Sequence, residues 1–195
     1  FIPARPAKPR NNGITMMMDK GLSLREVENF IEANGHLTDI VKFGFGTSYV
    51  SQNLEEKLKL YSENGIRPYF GGTLFEAFYA RGKFEDYLRL MDKYKLDLAE
   101  ISDGSIILNH DEKCELIRRM AKDRTVLSEV GSKDSGILIS PNRWIKMMTS
   151  ELEAGSWKVI AEGREAGNVG VFRPNGTAHT MLINKIIAKV KPDDI

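Results

Sequence analysis

Six times between residues 13 and 190, a short apolar run is followed by a longer amphipathic one. The apolar runs are 13–18, 38–43, 66–70, 96–101, 125–130 and 157–161. Their spacing of about 25–35 residues is that of right-handed strand–helix–strand crossovers, which join parallel strands. Runs that are apolar on both faces imply a parallel sheet covered by helices. Between them lie helical patterns. Ser23 with Glu26 makes a capping box ahead of Val27, Phe30 and Ile31, and Asn34-Gly35 reads as the stop. A second helix runs from about Asn53 to Asn64-Gly65, with Leu54, Leu58 and Tyr61 on one face. Further helices are expected over 74–80, 84–94, 111–122, 141–153 and 181–190.

Three architectures fit this alternation: an eight-stranded barrel, a doubly wound open sheet, or a truncated form of either. Polar residues separate them. Asp19-Lys20-Gly21 follow the first run, and Lys42 then Gly44–Ser48 the second. Gly71-Gly72-Thr73 follow the third, and Glu100 and Ser102–Ser105 belong to the fourth. Glu129 then Gly131-Ser132-Lys133 belong to the fifth, and Glu162 then Arg164-Glu165 to the sixth. A barrel brings the C-terminal ends of all its strands to one mouth, whereas an open sheet gathers ligands at its switch point. The expected fold is therefore a (β/α)8 TIM barrel forming one domain over 1–195, with six units in view. The turn-like Pro192-Asp193-Asp194 is expected to lead into a seventh strand, with roughly 50–60 residues beyond Ile195.

The strand-end set combines carboxylates (Asp19, Glu100, Glu129, Glu162) with cations (Lys20, Lys42, Lys133, Arg164). Converging carboxylates suit Mg²⁺, and cations beside glycine-rich turns suit a phosphate. Together they suggest a metal-assisted reaction on a small phosphorylated or carboxylated anion. Lys42 and Glu100 are the sharpest candidates, because an ionisable group inside an apolar strand is costly unless it is used. Asp19 reads equally well as a cap of the following turn. Gly44–Thr47 resembles a phosphate loop only loosely. Met16-Met17-Met18, Trp144 and Trp157 read as packing residues, and Arg81-Gly82-Lys83 as a solvated helix–helix turn. Cys114 reads as an incidental thiol in an exposed helix start, His110 to Glu115.

A formal net charge of +1 leaves no cation excess for non-specific nucleic-acid binding. No apolar run reaches the roughly 18–20 residues of a membrane-spanning helix. The Pro- and Arg-rich start, residues 1–10, has no apolar core of a secretory signal, and it lacks an initiator Met, so the true start is expected upstream. A cytoplasmic protein is expected.

Six ordered segments resemble the phosphosulfolactate synthase family: 13–22, 39–48, 71–76, 100–105, 129–131 and 162–165. The resemblance runs from about residue 5 to the chain end. It implies a (β/α)8 barrel and Mg²⁺-dependent addition of sulfite to phosphoenolpyruvate. It also implies a general-acid lysine at Lys133, with Lys42 as a second catalytic candidate. Lys20, Lys42, Gly71, Gly72, Thr73, Ser102 and Arg164 would bind substrate, and Glu100, Glu129 and Glu162 would hold the metal. Such barrels commonly self-associate, so a homo-oligomer is expected. Plant heat-stress-associated proteins share these motifs, which leaves a non-enzymatic homologue open. Another Mg²⁺-dependent barrel lyase or aldolase on phosphoenolpyruvate or pyruvate also fits the pattern.

Overall fold

The structure, a computed structural model, describes residues 4–131, 139–163 and 166–195. It forms two compact units, Phe1–Leu98 and Ala99–Ile195. The first contains β1 (Met16–Asp19), α1 (Leu24–Asn34), β2 (Ile40–Phe43), α2 (Leu54–Glu63), β3 (Arg67–Phe70), α3 (Gly72–Tyr79) and α4 (Phe84–Lys93). β4 (Leu98–Ile101) opens the second, followed by α5 (His110–Met120), β5 (Thr125–Val130), α6 (Pro141–Glu153), β6 (Lys158–Ala161) and α7 (Thr180–Ile187). The α/β alternation read from the sequence is present. Among the described residues it yields six strands in two sheets of three, rather than the eight strands of a closed barrel.

In the first unit the sheet order is β1-β2-β3, all parallel. Its register aligns Met18, Lys42 and Tyr69, and one step on it aligns Asp19, Phe43 and Phe70. Because side chains alternate along a strand, these rows lie on opposite faces. The second row is the helix-covered one. Phe43 packs edge-to-face on Tyr61 of α2 and on Phe70, and Phe70 packs on Tyr94 after α4. The capping box at α1 forms as expected: Ser23 accepts from the Glu26 amide, and Glu26 accepts from the Ser23 amide. α1 stops at Asn34-Gly35 as expected, with Gly35 at ordinary right-handed angles.

In the second unit the order is β4-β5-β6. β5 and β6 are parallel with Leu127 opposite Lys158 and Glu129 opposite Ile160. Val130 and Val159 face the helices, where they join Trp144, Met148, Leu182, Ile186 and Val190 in one buried cluster. Trp144 is thus a core residue, as expected. Trp157 is half-buried, with the Lys158 ammonium 5.0 Å from its ring centre.

Two burial expectations are corrected. Met16 and Met18 are exposed, because they share the Lys42 face rather than the helix-covered one. The start of α5 is not a solvated segment: Lys113 and Cys114 are both buried. They begin the inward stripe that Ile117 and Met120 continue. Among the described residues no helix is long and apolar enough to cross a membrane.

Candidate active site

At the end of β1, Asp19 is fully buried on the helix side of its sheet. Its Oδ1 accepts from the amides of Gly21 and Leu22 at 2.8 and 2.9 Å, closing the turn. Its Oδ2 accepts from the Tyr61 hydroxyl at 3.1 Å and lies 2.7 Å from Lys57 Nζ. Burial, then the Asp19 charge, push the Tyr61 phenol well above its usual range, which keeps it a donor. Both Asp19 oxygens are engaged, and Oδ1 caps the following turn as expected.

Lys42 lies on the other face, half-buried between Met18 and Tyr69 in the register. Its stem runs over Gly71. A Cβ built on Gly71 would come within 2.8 Å of Lys42 Cε and 3.1 Å of Lys42 Cγ, and within 3.0 Å of the Phe43 carbonyl oxygen. Gly71 is the N-cap of α3 and has no side-chain cap to offer. The missing side chain therefore makes room for a lysine at a helix N-terminus, where backbone amides and the helix dipole favour an anion. Gly72 is buried and Thr73 half-buried in the first turn of α3, while Lys20 is exposed after β1. The loosely phosphate-like Gly44–Thr47 run forms a short 3₁₀ turn. Phe45 there takes a left-handed φ of 55°, and the Thr47 hydroxyl donates to the Gly44 carbonyl at 2.8 Å.

In the second unit Glu100, Ser102, Glu129 and Glu162 are all buried. Glu129 is opposite Ile160, so Glu162, two residues on, continues the same face. The Glu162 amide donates to the Val130 carbonyl at 2.9 Å, prolonging the ladder by one step. Among the described residues no group of three or more His, Cys, Asp or Glu side chains is arranged to hold a metal ion.

Beneath this face lies a charged cluster that strand-end reasoning missed. Lys113 Nζ of α5 donates to the Glu129 main-chain carbonyl at 2.6 Å and to Asp103 Oδ1 at 2.9 Å. It also pairs with Glu151 Oε1 of α6 at 2.9 Å. The Ser156 hydroxyl donates to the Ser128 hydroxyl at 2.8 Å beside this cluster. Burial works against the Lys113 ammonium, but the Glu151 and Asp103 carboxylates outweigh it and hold its pKa above the ordinary lysine value. Burial pushes Glu151 up, with Lys113 opposing. Burial and the Lys113 charge hold His110 below the usual histidine range.

The model of the (2R)-phospho-3-sulfolactate synthase family matches residues 3–195. A phosphosulfolactate synthase of Methanocaldococcus jannaschii is 39% identical over 191 residues, covering 90% of this chain and 76% of its own length. One of Bacillus subtilis is 34% identical over 189 residues, covering 96% and 75%. The chain belongs to the phosphosulfolactate synthase family. This is a family of enzymes. Among solved structures, the carboxyl transferase domain of Rhizobium etli pyruvate carboxylase superposes with a TM-score of 0.57 over 93% of this chain. This chain spans 31% of that one, and at 12% identity the likeness speaks for the fold alone.

Of the sequence-derived site residues of this phosphosulfolactate synthase family member, the structure brings Lys42, Gly71, Gly72 and Thr73 together in the first unit. It buries Glu100, Ser102, Glu129 and Glu162 in the second. Lys133 and Arg164 lie outside the described residues. Lys57, Lys113 and Glu151 were not anticipated. Their signal was a charged residue inside an apolar stripe: Leu54-Lys57-Leu58-Tyr61, Lys113-Ile117-Met120 and Trp144-Met148-Glu151 all follow helical spacing.

Proposed function

We propose that this chain adds sulfite to phosphoenolpyruvate, giving phosphosulfolactate. Family membership supports the reaction, and the seat of Lys42 across Gly71 at the N-terminus of α3 is the observation that carries the residue roles. Sulfur forms the new bond at the methylene carbon, and the double-bond pair moves toward C2 and the carboxylate. A proton then arrives at C2, while the phosphate ester stays in place. In this reading Lys42 and the Gly71-Gly72-Thr73 amides hold one anionic end of phosphoenolpyruvate. Lys20 and Arg164 attract sulfite, Ser102 orients the substrate, and Lys133 supplies the proton to C2.

Mg²⁺ is commonly held by one or two carboxylates together with water and substrate oxygens. Glu129 and Glu162, buried on one face, fit that need, and buried Glu100 is a third candidate. When bound, the ion would stabilise charge developing on the substrate carboxylate as a Lewis acid. The parallel register within each sheet agrees with strand–helix units of a (β/α)8 barrel, and the proposal includes that fold.

The test is incubation of the full-length protein with sulfite, phosphoenolpyruvate and Mg²⁺, following the enolpyruvyl absorbance. Consumption of one phosphoenolpyruvate per sulfite is expected, with a Lys42→Ala variant losing roughly 100-fold or more in kcat/KM. Unchanged substrate with the folded wild-type protein would overturn the proposal.

A further inference from the structure

We infer that Lys113 is a positioning residue, whose ammonium fixes the strand end that carries Glu129 and the loop that carries Ser102. The inference rests on the proposed reaction for its catalytic consequence, and on geometry alone for its structural part.

A lysine ammonium has three hydrogens and accepts none. Lys113 donates to the Glu129 carbonyl at the end of β5 and to Asp103 in the loop after β4, and it is ion-paired with Glu151 on α6. Its side chain is 0% exposed, so bulk water does not reach the ammonium. Stability alone is a poor reason to keep such a group. Buried ion clusters are often replaced by apolar residues without loss, and what they supply instead is a fixed arrangement.

The arrangement concerns two candidate segments. Successive carbonyls on a strand point to opposite edges. The Val130 carbonyl faces β6, where it takes the Glu162 amide, so that of Glu129 faces the β4 edge, where Lys113 meets it. Lys113 therefore fixes the peptide plane joined to the Cα from which the Glu129 carboxylate springs. Through Asp103 it also fixes the residue after Ser102 and three after Glu100. Lys113 touches no reacting atom in this scheme. It acts through the backbone.

The experiment compares wild type, Lys113→Met and Asp103→Asn in the full-length protein. Three quantities are read: amide exchange by residue, the urea midpoint, and steady-state kinetics with sulfite and phosphoenolpyruvate across Mg²⁺ concentrations. Lys113→Met should lose exchange protection selectively over 102–105 and 129–131. Its kcat should fall roughly 10- to 100-fold and its Mg²⁺ requirement rise, with KM for phosphoenolpyruvate changed less than about threefold. Exchange that keeps the wild-type pattern would overturn the inference. So would protection lost evenly across the unit in step with the urea midpoint, the mark of a merely stabilising role. If Lys113→Met does not fold, Asp103→Asn, which keeps an oxygen acceptor and loses the charge, is read by the same criteria over 102–105. A wild-type protein that leaves phosphoenolpyruvate untouched would refute the proposed reaction, and the exchange pattern would still decide the positioning role.

Discussion

Lys57 Nζ lies 2.7 Å from Asp19 Oδ2, with the two side chains 2% and 0% exposed, so the turn after β1 is tied to α2 by a buried ion pair. The same Nζ sits 5.1 Å from the centre of the Phe43 ring, and Tyr61 adds its hydroxyl to the carboxylate. Removing Lys57 leaves a buried carboxylate without its cation. Lys57→Met should therefore lower unfolding stability by about 3–5 kcal/mol, and Lys57→Met with Asp19→Asn by clearly less than the sum of the single changes. Urea unfolding of the four proteins in the cycle measures this. Additive losses would mean that the pair contributes nothing as a pair.

Gly170 adopts a left-handed φ of 71°, and a side-chain carbon there would overlap the Glu162 carbonyl oxygen. Val171 donates to that same oxygen at 2.9 Å. Gly170→Ala should cost at least about 1–2 kcal/mol from backbone conformation alone, and more from the overlap. Because the displaced group is the main chain of Glu162, turnover should fall as well. Thermal unfolding and kinetics together check this, and a variant as stable as wild type would contradict the backbone geometry.

His110 is half-buried beside Lys113, and burial followed by the Lys113 charge holds its pKa below the ordinary histidine value of about 6.5. A depressed folded-state pKa contributes stability that is present above the unfolded value and is lost as pH falls through the folded one. Wild type should therefore lose stability on acidification below about pH 6.5, and His110→Gln should lose less. The imidazole midpoint by NMR should lie below the free value and move upward in Lys113→Met. A midpoint at the free value would show that the ring is solvated.

Cys114 is buried, and burial, followed by the Glu151 charge, pushes its thiol up. A thiol with little thiolate and little access reacts slowly. Disulfide reagents at about pH 8 should leave native Cys114 unmodified over times that fully label the urea-unfolded chain. Immediate labelling of the native protein would refute the inward packing of α5.

Local signals are legible in the sequence. The Ser23–Glu26 capping box, the Thr125–Val130 strand and the Pro141–Glu153 helix are recovered with the expected limits, since caps, proline and β-branched runs act within a few residues. Lys42 stands out in the sequence for a related reason: an ion in an apolar strand is conspicuous without any knowledge of its partner. Lys57, Lys113 and Glu151 carry only the faint signal of a charge within an apolar stripe, because each sits in a helix otherwise rich in charge. What distinguishes them from their solvated neighbours is a partner 10 to 38 positions away along the chain. The exposure of Met16 and Met18 was hidden for a subtler reason. Register decides which strand face meets the helices, and register is a property of pairs of strands.

The burial of the Lys113 ammonium among oxygens from three segments bears on how the second unit comes together. An ammonium cannot be withdrawn from water until its acceptors are in place. Here they come from the loop after β4, from the end of β5 and from α6. A partly assembled unit lacking any one of them would hold a less fully paired ion in its interior, so such halfway states are penalised more than the complete one. The cluster thereby makes docking of these segments an all-or-none event, and the strand bearing Glu129 acquires its final shape only when the helices around it have arrived.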